Sequence, residues 1–177
     1  MNKKLGILFR ISGLPGSGKT EVAKLLHPKI SKTFGPTIMY SGDDLRKITS
    51  NYSYKLKDRF NFGLQNIALI KLINSQKINV IFATVGLSTK IRNKLKKEVP
   101  NYIEITIKSE MNDLKRRKDR KFYNDNSKNV WGRDIKIEYP KKSDIIFIND
   151  FKENLNNMKN NIFNDLIKLK KLKKFII

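Results

Sequence analysis

The chain's 177 residues carry 38 lysines and arginines against 16 acidic residues, a formal charge of +22, with 39% hydrophobic residues and no cysteine. This length and apolar content suit one globular domain over residues 1–177 and exclude a disordered chain, while the missing cysteine excludes disulfides, zinc–thiolate clusters and thiol catalysis. No apolar run approaches the roughly 18–20 residues that span a bilayer, and with a reducing compartment as the default the expected location is the cytoplasm.

In chain order, the basic start Met1-Asn2-Lys3-Lys4 runs into Leu5–Ile11, an apolar strand candidate. Directly behind it stands Gly13-Leu14-Pro15-Gly16-Ser17-Gly18-Lys19-Thr20, so cleavage of a leader peptide here would remove that loop as well. A helix is predicted from Lys19 to about Leu26, where His27-Pro28 reads as a solvated helix end. The strand Thr37–Tyr40 then delivers Ser41-Gly42-Asp43-Asp44-Leu45-Arg46. Helical patterns over about 56–74, 88–97 and 110–118 alternate with the strand candidates Ile78–Ala83 and Tyr102–Ile107. From 118 to 140 the chain is polar and basic without a period, with Trp131-Gly132 in its middle. So long a stretch inside a compact domain is expected to be a lid or binding loop. A last strand, Asp144–Ile148, precedes a helix predicted from Asp150 to about residue 174. Strands alternating with such helices predict an α/β fold: a five-stranded parallel sheet, helices on both faces, ligands at the carboxyl ends of the strands.

Gly13 to Thr20 fits G-x-x-x-x-G-K-T, the Walker A pattern of P-loop NTPases, with the strand before it and the helix after it that the motif requires. Its glycines let the backbone turn N–H groups around phosphates, and the helix N-terminus adds the positive end of its dipole. Lys19 is placed for the β- and γ-phosphates of ATP and the Thr20 hydroxyl for Mg²⁺. An ATP-dependent phosphotransferase is the expectation, and a Gly-rich turn without a ligand does not account for motif and context together.

Ser41–Arg46 is the second candidate site. Gly42 permits a tight exit from the strand, and two carboxylates then emerge beside the phosphate loop. A carboxylate there can accept a proton from an acceptor hydroxyl or hold Mg²⁺ through water, and Arg46 can clamp an anion. Aspartate is equally a common helix N-cap. One aspartate is expected to cap, and the other, Asp43, to serve chemistry.

These motifs, followed by Asp58-Arg59, resemble the adenylylsulfate (APS) kinases in order and spacing. The likeness continues through Arg117-x-x-Arg120-x-x-Tyr123, similar to that family's Arg-Asp-Pro-Lys-Gly-Leu-Tyr segment. Gly132-x-Asp134 with Glu138-x-Pro140 is similar to its Gly-Ile-Asp and Tyr-Glu-x-Pro stretch, so the resemblance covers about residues 5–150. It implies a nucleotide-kinase-like three-layer sandwich with a mobile lid. It also implies transfer of the γ-phosphoryl group of ATP to the ribose 3′-hydroxyl of a nucleotide with a modified, diphosphate-like tail. On this resemblance Asp43 sits at the acceptor hydroxyl, Arg46 and Arg59 bind the acceptor's anionic groups, and Arg117–Tyr123 belongs to the lid over ATP.

The departures from the family pattern fall on the acceptor side. The family's Asp-Gly-Asp-Asn begins here with Ser41 and ends with Asp44, and its Asp-Arg-x-x-Asn becomes Asp58-Arg59-Phe60-Asn61-Phe62. Its following Arg-Arg pair is Leu64-Gln65, and its Ser-Pro turn after the third strand is Leu87-Ser88, with Lys90 for the family's arginine. The lid's Phe-Thr-Gly reads Val130-Trp131-Gly132, and the other aromatic for a base sandwich is Tyr54. Exchanged polar and stacking groups, with Tyr54, Phe62 and Trp131 among the acceptor-side residues, point to a different acceptor. Residues 78–84, 101–108 and 130–135 look similar to a divergent branch associated with surface polysaccharides, which includes kinases acting on cytidine diphosphoramidate in capsule phosphoramidate biosynthesis. That acceptor is expected ahead of adenylylsulfate.

The charge of +22 has two readings. Lys, Asn and Ile are abundant throughout, as codon bias alone would give, and the even spread of charge favours this over a polyanion site. The other reading is a basic nucleic-acid-binding module switched by ATP, for which no recognition signature is present. Trp131 suits a stacking residue and a hydrophobic anchor for a closed lid equally. The lysine-rich segment from Leu166 to Ile177 fits a helix packed on the sheet, with an anionic membrane surface as the alternative. Its trailing Phe175-Ile176-Ile177 also suits a homodimer contact.

Overall fold

A computed structural model describes residues 1–86, 88–116, 128–152 and 154–177. The elements in order are β1 (Leu8–Gly13), α1 (Lys19–Phe34), β2 (Thr37–Ser41), α2 (Gly42–Ile48), α3 (Leu56–Ser75) and β3 (Asn79–Thr84). They continue with α4 (Thr89–Glu98), β4 (Tyr102–Lys108), α5 (Met111–Arg116), β5 (Ile145–Ile148) and α6 (Leu155–Lys168), then a 3₁₀ helix over Lys170–Phe175. The five strands form one parallel sheet in the order β2-β3-β1-β4-β5, with Leu8 of β1 opposite Val80 of β3 and Tyr102 of β4. Every expected strand is present, with its ends displaced by no more than three residues.

Strand alternation divides the core into two layers. Phe9 and Ile11 of β1 join Ile81, Ile103 and Ile105 under α1 and α6, while Leu8 joins Val80, Phe82 and Tyr102 under α3 and α4. A third cluster lies beyond the carboxyl end of the sheet, where Leu14 packs with Leu114, Val130 and Trp131. The expected helices-on-both-faces architecture follows from this burial.

Two helices differ in extent from the sequence reading. The first helix does not stop near Leu26: α1 runs through Pro28 to Phe34, closed by Gly35 at φ +93. An interior proline costs about 3 kcal/mol, but the added turns bury Ile30 and Phe34, each worth roughly 1.5–3 kcal/mol. His27 is accordingly no solvated end; it is half-buried, with Nε2 2.9 Å from the Thr37 carbonyl oxygen. At the other end of the chain, the helix expected from Asp150 to about 174 is shorter at both ends: α6 starts at Leu155, capped by the Asn154 side chain, and stops at Lys168. Its buried stripe Met158-Ile162-Leu166 would leave Leu172 off the same face. An extended residue at Leu169 and the 3₁₀ turn bring Leu172 fully into the core instead. Among the described residues, no helix is long and apolar enough to cross a membrane.

Candidate active site

The phosphate loop is held by close packing on both sides. A Cβ at Gly13 would lie 2.3 Å from the Ile107 carbonyl oxygen and 2.8 Å from Ser17 Oγ, so β4 and the loop leave room for glycine only. Gly16 and Gly18 take φ values of +81 and +90, the left-handed region that favours glycine. Ser17 donates its N–H to the Leu14 carbonyl at 3.2 Å, and its own carbonyl accepts from Asn149 Nδ2 at 3.1 Å. Lys19 is 8% exposed and folds back to place Nζ 2.5 Å from the Leu14 carbonyl oxygen. Pro15, Gly16, Gly18, Lys19 and Thr20 line a cavity of about 710 Å³, whereas Gly13, Leu14 and Ser17 shape the loop from behind.

The far wall of that cavity comes from the carboxyl ends of β2 and β3. Ser41, not an aspartate, is the N-cap of α2, which corrects the reading that one of the two carboxylates fills that position. Its hydroxyl accepts the Asp44 N–H at 3.1 Å, and the Asp44 carboxylate accepts from Ser41 O–H at 2.7 Å and N–H at 2.8 Å, a closed capping box. These bonds, the Ser41 hydroxyl first, hold the Asp44 carboxyl below the usual aspartate range. Asp44 is thereby committed to the helix. Asp43 takes no part in the cap and lies on the cavity wall with Gly42.

The other predicted acceptor residues divide into wall and support. Tyr54, Arg59 and Trp131 line the cavity; Arg46 and Phe62 do not. Arg46 is buried, sandwiched 4.4 Å from the Tyr54 ring and 4.3 Å from the Phe62 ring, and it donates to the carbonyls of Asn51 and Ser53 at 2.8 and 2.9 Å. Its geometry is that of a brace under Tyr54, in place of the anion clamp expected from the sequence. Arg59 faces the cavity and donates to the Tyr54 carbonyl at 2.8 Å. Burial, with Arg46 next, pushes its guanidinium below the ordinary arginine value. Arg117, Arg120 and Tyr123 lie outside the described residues.

Trp131 is 7% exposed against Leu14 and Leu114, so its ring anchors the segment and still forms part of the wall. The next residues explain the motif around it. Gly132 sits at φ +86, where a Cβ would come 2.3 Å from Met111 Cε, and the Asp134 carboxylate accepts the Val130 N–H at 2.8 Å. Glu138 accepts the Thr89 N–H at 2.7 Å, supplying the cap that Ser88 does not give α4, and this bond holds its carboxyl below the usual range. Sequence reasoning missed Lys128, Asn129, Glu21, Thr84 and Val85, all on the wall. Lys128-Asn129 stands just before the Trp131-Gly132 pair, the one available signal.

The donor set fits a Mg²⁺–nucleotide. Thr20 offers a hydroxyl beside a glycine cradle, and among the described residues no group of three His or acidic side chains forms a self-sufficient metal site. Mg²⁺ characteristically takes one or two protein ligands and completes its shell with phosphate and water.

The profile of the adenylylsulphate kinase family matches residues 5–148. The chain is 32% identical over 149 residues to a cytidine diphosphoramidate kinase of Campylobacter jejuni, covering 82% of this chain and 87% of that enzyme. It is 28% identical over 151 residues to an adenylyl-sulfate kinase of Clostridium acetobutylicum, covering 82% and 76%. The structure of a Mycobacterium tuberculosis APS kinase in complex with AMPPNP and APS superposes with a TM-score of 0.80 at 19% identity, covering 92% of this chain and 98% of that one.

Proposed function

The chain belongs to the adenylylsulphate kinase family and is a kinase, and on that premise we propose that it phosphorylates the ribose 3′-hydroxyl of cytidine diphosphoramidate with ATP. The observation that carries this acceptor is the 32% identity to a cytidine diphosphoramidate kinase over most of both chains. The exchange of acceptor-side residues at Tyr54, Phe62 and Trp131 supports it. Adenylylsulfate is the second reading, favoured by the match to the Clostridium enzyme at 28%.

In this mechanism the loop Gly13–Thr20 holds the ATP phosphates, with Lys19 turning from Leu14 to the β- and γ-oxygens and Thr20 as the chain's own Mg²⁺ ligand. Mg²⁺, when bound, neutralises charge on the phosphates. Asp43 sits at the acceptor hydroxyl and takes its proton as the 3′-oxygen bonds to the γ-phosphorus; the bond to the β–γ bridging oxygen breaks and ADP leaves. Arg59 and Lys128 meet the acceptor's anionic tail, and Tyr54 and Trp131 flank its base. Most of the rate then comes from positioning and electrostatics.

The test is ADP release by purified protein with Mg·ATP, comparing cytidine diphosphoramidate, adenylylsulfate and no acceptor. Turnover mainly with the cytidine compound is expected. Turnover mainly with adenylylsulfate returns the chain to sulfate activation, and silence with both sinks the choice of acceptor.

A further inference from the structure

Arg10 occupies the middle of β1, 1% exposed, on the face packed by α3 and α4. Its register neighbours are Phe82 of β3 and Glu104 of β4. Arg10 Nη1 meets the Glu104 carboxylate at 2.6 Å with both side chains 1% exposed, and Lys96 Nζ stands 3.1 Å from the other Glu104 oxygen. A buried ion pair is weak grounds for stability, because desolvation offsets most of the Coulomb attraction. What this pair does is aim the second arm of the guanidinium.

That arm, Nη2, donates to the main-chain carbonyl of Gly86. Gly86 follows Thr84 and Val85, both on the cavity wall beside Asp43. It sits at φ +21, and a Cβ built there would lie 2.5 Å from Arg10 Nη2. The turn after β3 is therefore shaped around the guanidinium, which reaches it from inside the sheet.

We propose that Arg10 is a positioning residue for the acceptor: pinned by Glu104, it holds the Gly86 carbonyl and so fixes the Thr84–Val85 wall. The proposal rests on the reading that the acceptor binds against that wall, on the β2–β3 side of the phosphate loop. Lysine at this position keeps a charge beside Glu104 but lacks the fork that serves two acceptors at once.

Two variants test it from opposite sides of the contact, Arg10→Lys and Gly86→Ala. In the nucleotide-free protein, amide hydrogen exchange at Val85 and Gly86 should rise about tenfold in each, the scale of one charged hydrogen bond, with the Gly16–Lys19 amides unchanged. In kinetics, the acceptor KM should rise by a similar factor at constant KM for ATP, and the double variant should be no worse than either single one. Faster exchange at Val85 and Gly86 supports the anchoring even where cytidine diphosphoramidate proves not to be the acceptor. Unchanged exchange in both variants, or fully additive kinetic effects, overturns it whatever the acceptor.

Discussion

Arg59 donates from Nη2 to the Asn129 carbonyl oxygen at 2.5 Å, across 70 residues of sequence. One guanidinium thereby ties the start of α3 to the Lys128–Trp131 wall while its charge faces the cavity. Arg59→Lys keeps the charge and loses the fork. The acceptor KM should rise about tenfold, on the scale of one charged hydrogen bond, with the KM for ATP unchanged. Steady-state kinetics with each substrate varied in turn checks this; equal changes in both KM values would assign the guanidinium to general folding.

Asp43 stands on the wall without any part in the capping box of α2. Asp43→Asn should therefore lower kcat by about 10²-fold or more, the range of general-base removal, without shifting the thermal midpoint. Single-turnover rates and a melting curve on the same sample separate chemistry from folding. A near-normal rate would remove Asp43 from the mechanism.

The phosphate loop offers two distinct losses. Lys19→Ala should abolish most turnover while the protein still melts cooperatively at its usual temperature. Gly18→Ala forces a side chain into φ +90, a strain of about 1–2 kcal/mol, and should abolish the rise in melting temperature that Mg·AMPPNP produces. A full ligand-induced shift in Gly18→Ala would show that the loop's curvature is not what binds the phosphates.

Asp44 supplies a pH signature. Its carboxyl is held below the usual aspartate range by the Ser41 hydroxyl and then the Ser41 N–H. A depressed folded-state pKa stabilises above the unfolded value, about 3.9, and that stability is lost as pH falls through the folded value. Asp44→Asn should thus melt lower than the parent near neutrality, and the two should converge at strongly acid pH. Ser41→Ala should cost about 1 kcal/mol as a lost cap. Melting curves across that pH range decide it: a gap of constant size would mean that the ionised carboxylate is not what stabilises α2.

The sheet and the phosphate loop were legible because their signals are local: apolar runs of strand length, and eight contiguous residues with fixed spacing. The acceptor side was less so. Arg46 looked like an anion clamp because its position follows Asp43 and Asp44, yet its guanidinium lies between Tyr54 and Phe62. That placement depends on the irregular turn between α2 and α3, which brings the Asn51 and Ser53 carbonyls and two rings around Arg46 and follows no helix or strand period. The continuation of α1 past Pro28 was hidden for the same reason, since propensity sees the proline and not the core that receives Ile30 and Phe34. Arg10 in an apolar strand gave no sign of its partner, because Glu104 becomes its neighbour only through the β1–β4 register.

The central strand is also the one that waits longest for its neighbours. Leu8 pairs with Val80 and Tyr102, the latter 94 residues downstream by their numbering. During synthesis the first strand and its glycine loop leave the ribosome with neither flanking strand yet translated. At about 5–20 residues per second the wait for β4 is on the order of 5–20 seconds. Through that interval the nascent chain carries the Walker sequence without β3 and β4 beside it and without the Thr84–Val85 wall of the cavity. The Ile7–Phe9 run, fully buried in the folded protein, stays unpaired meanwhile.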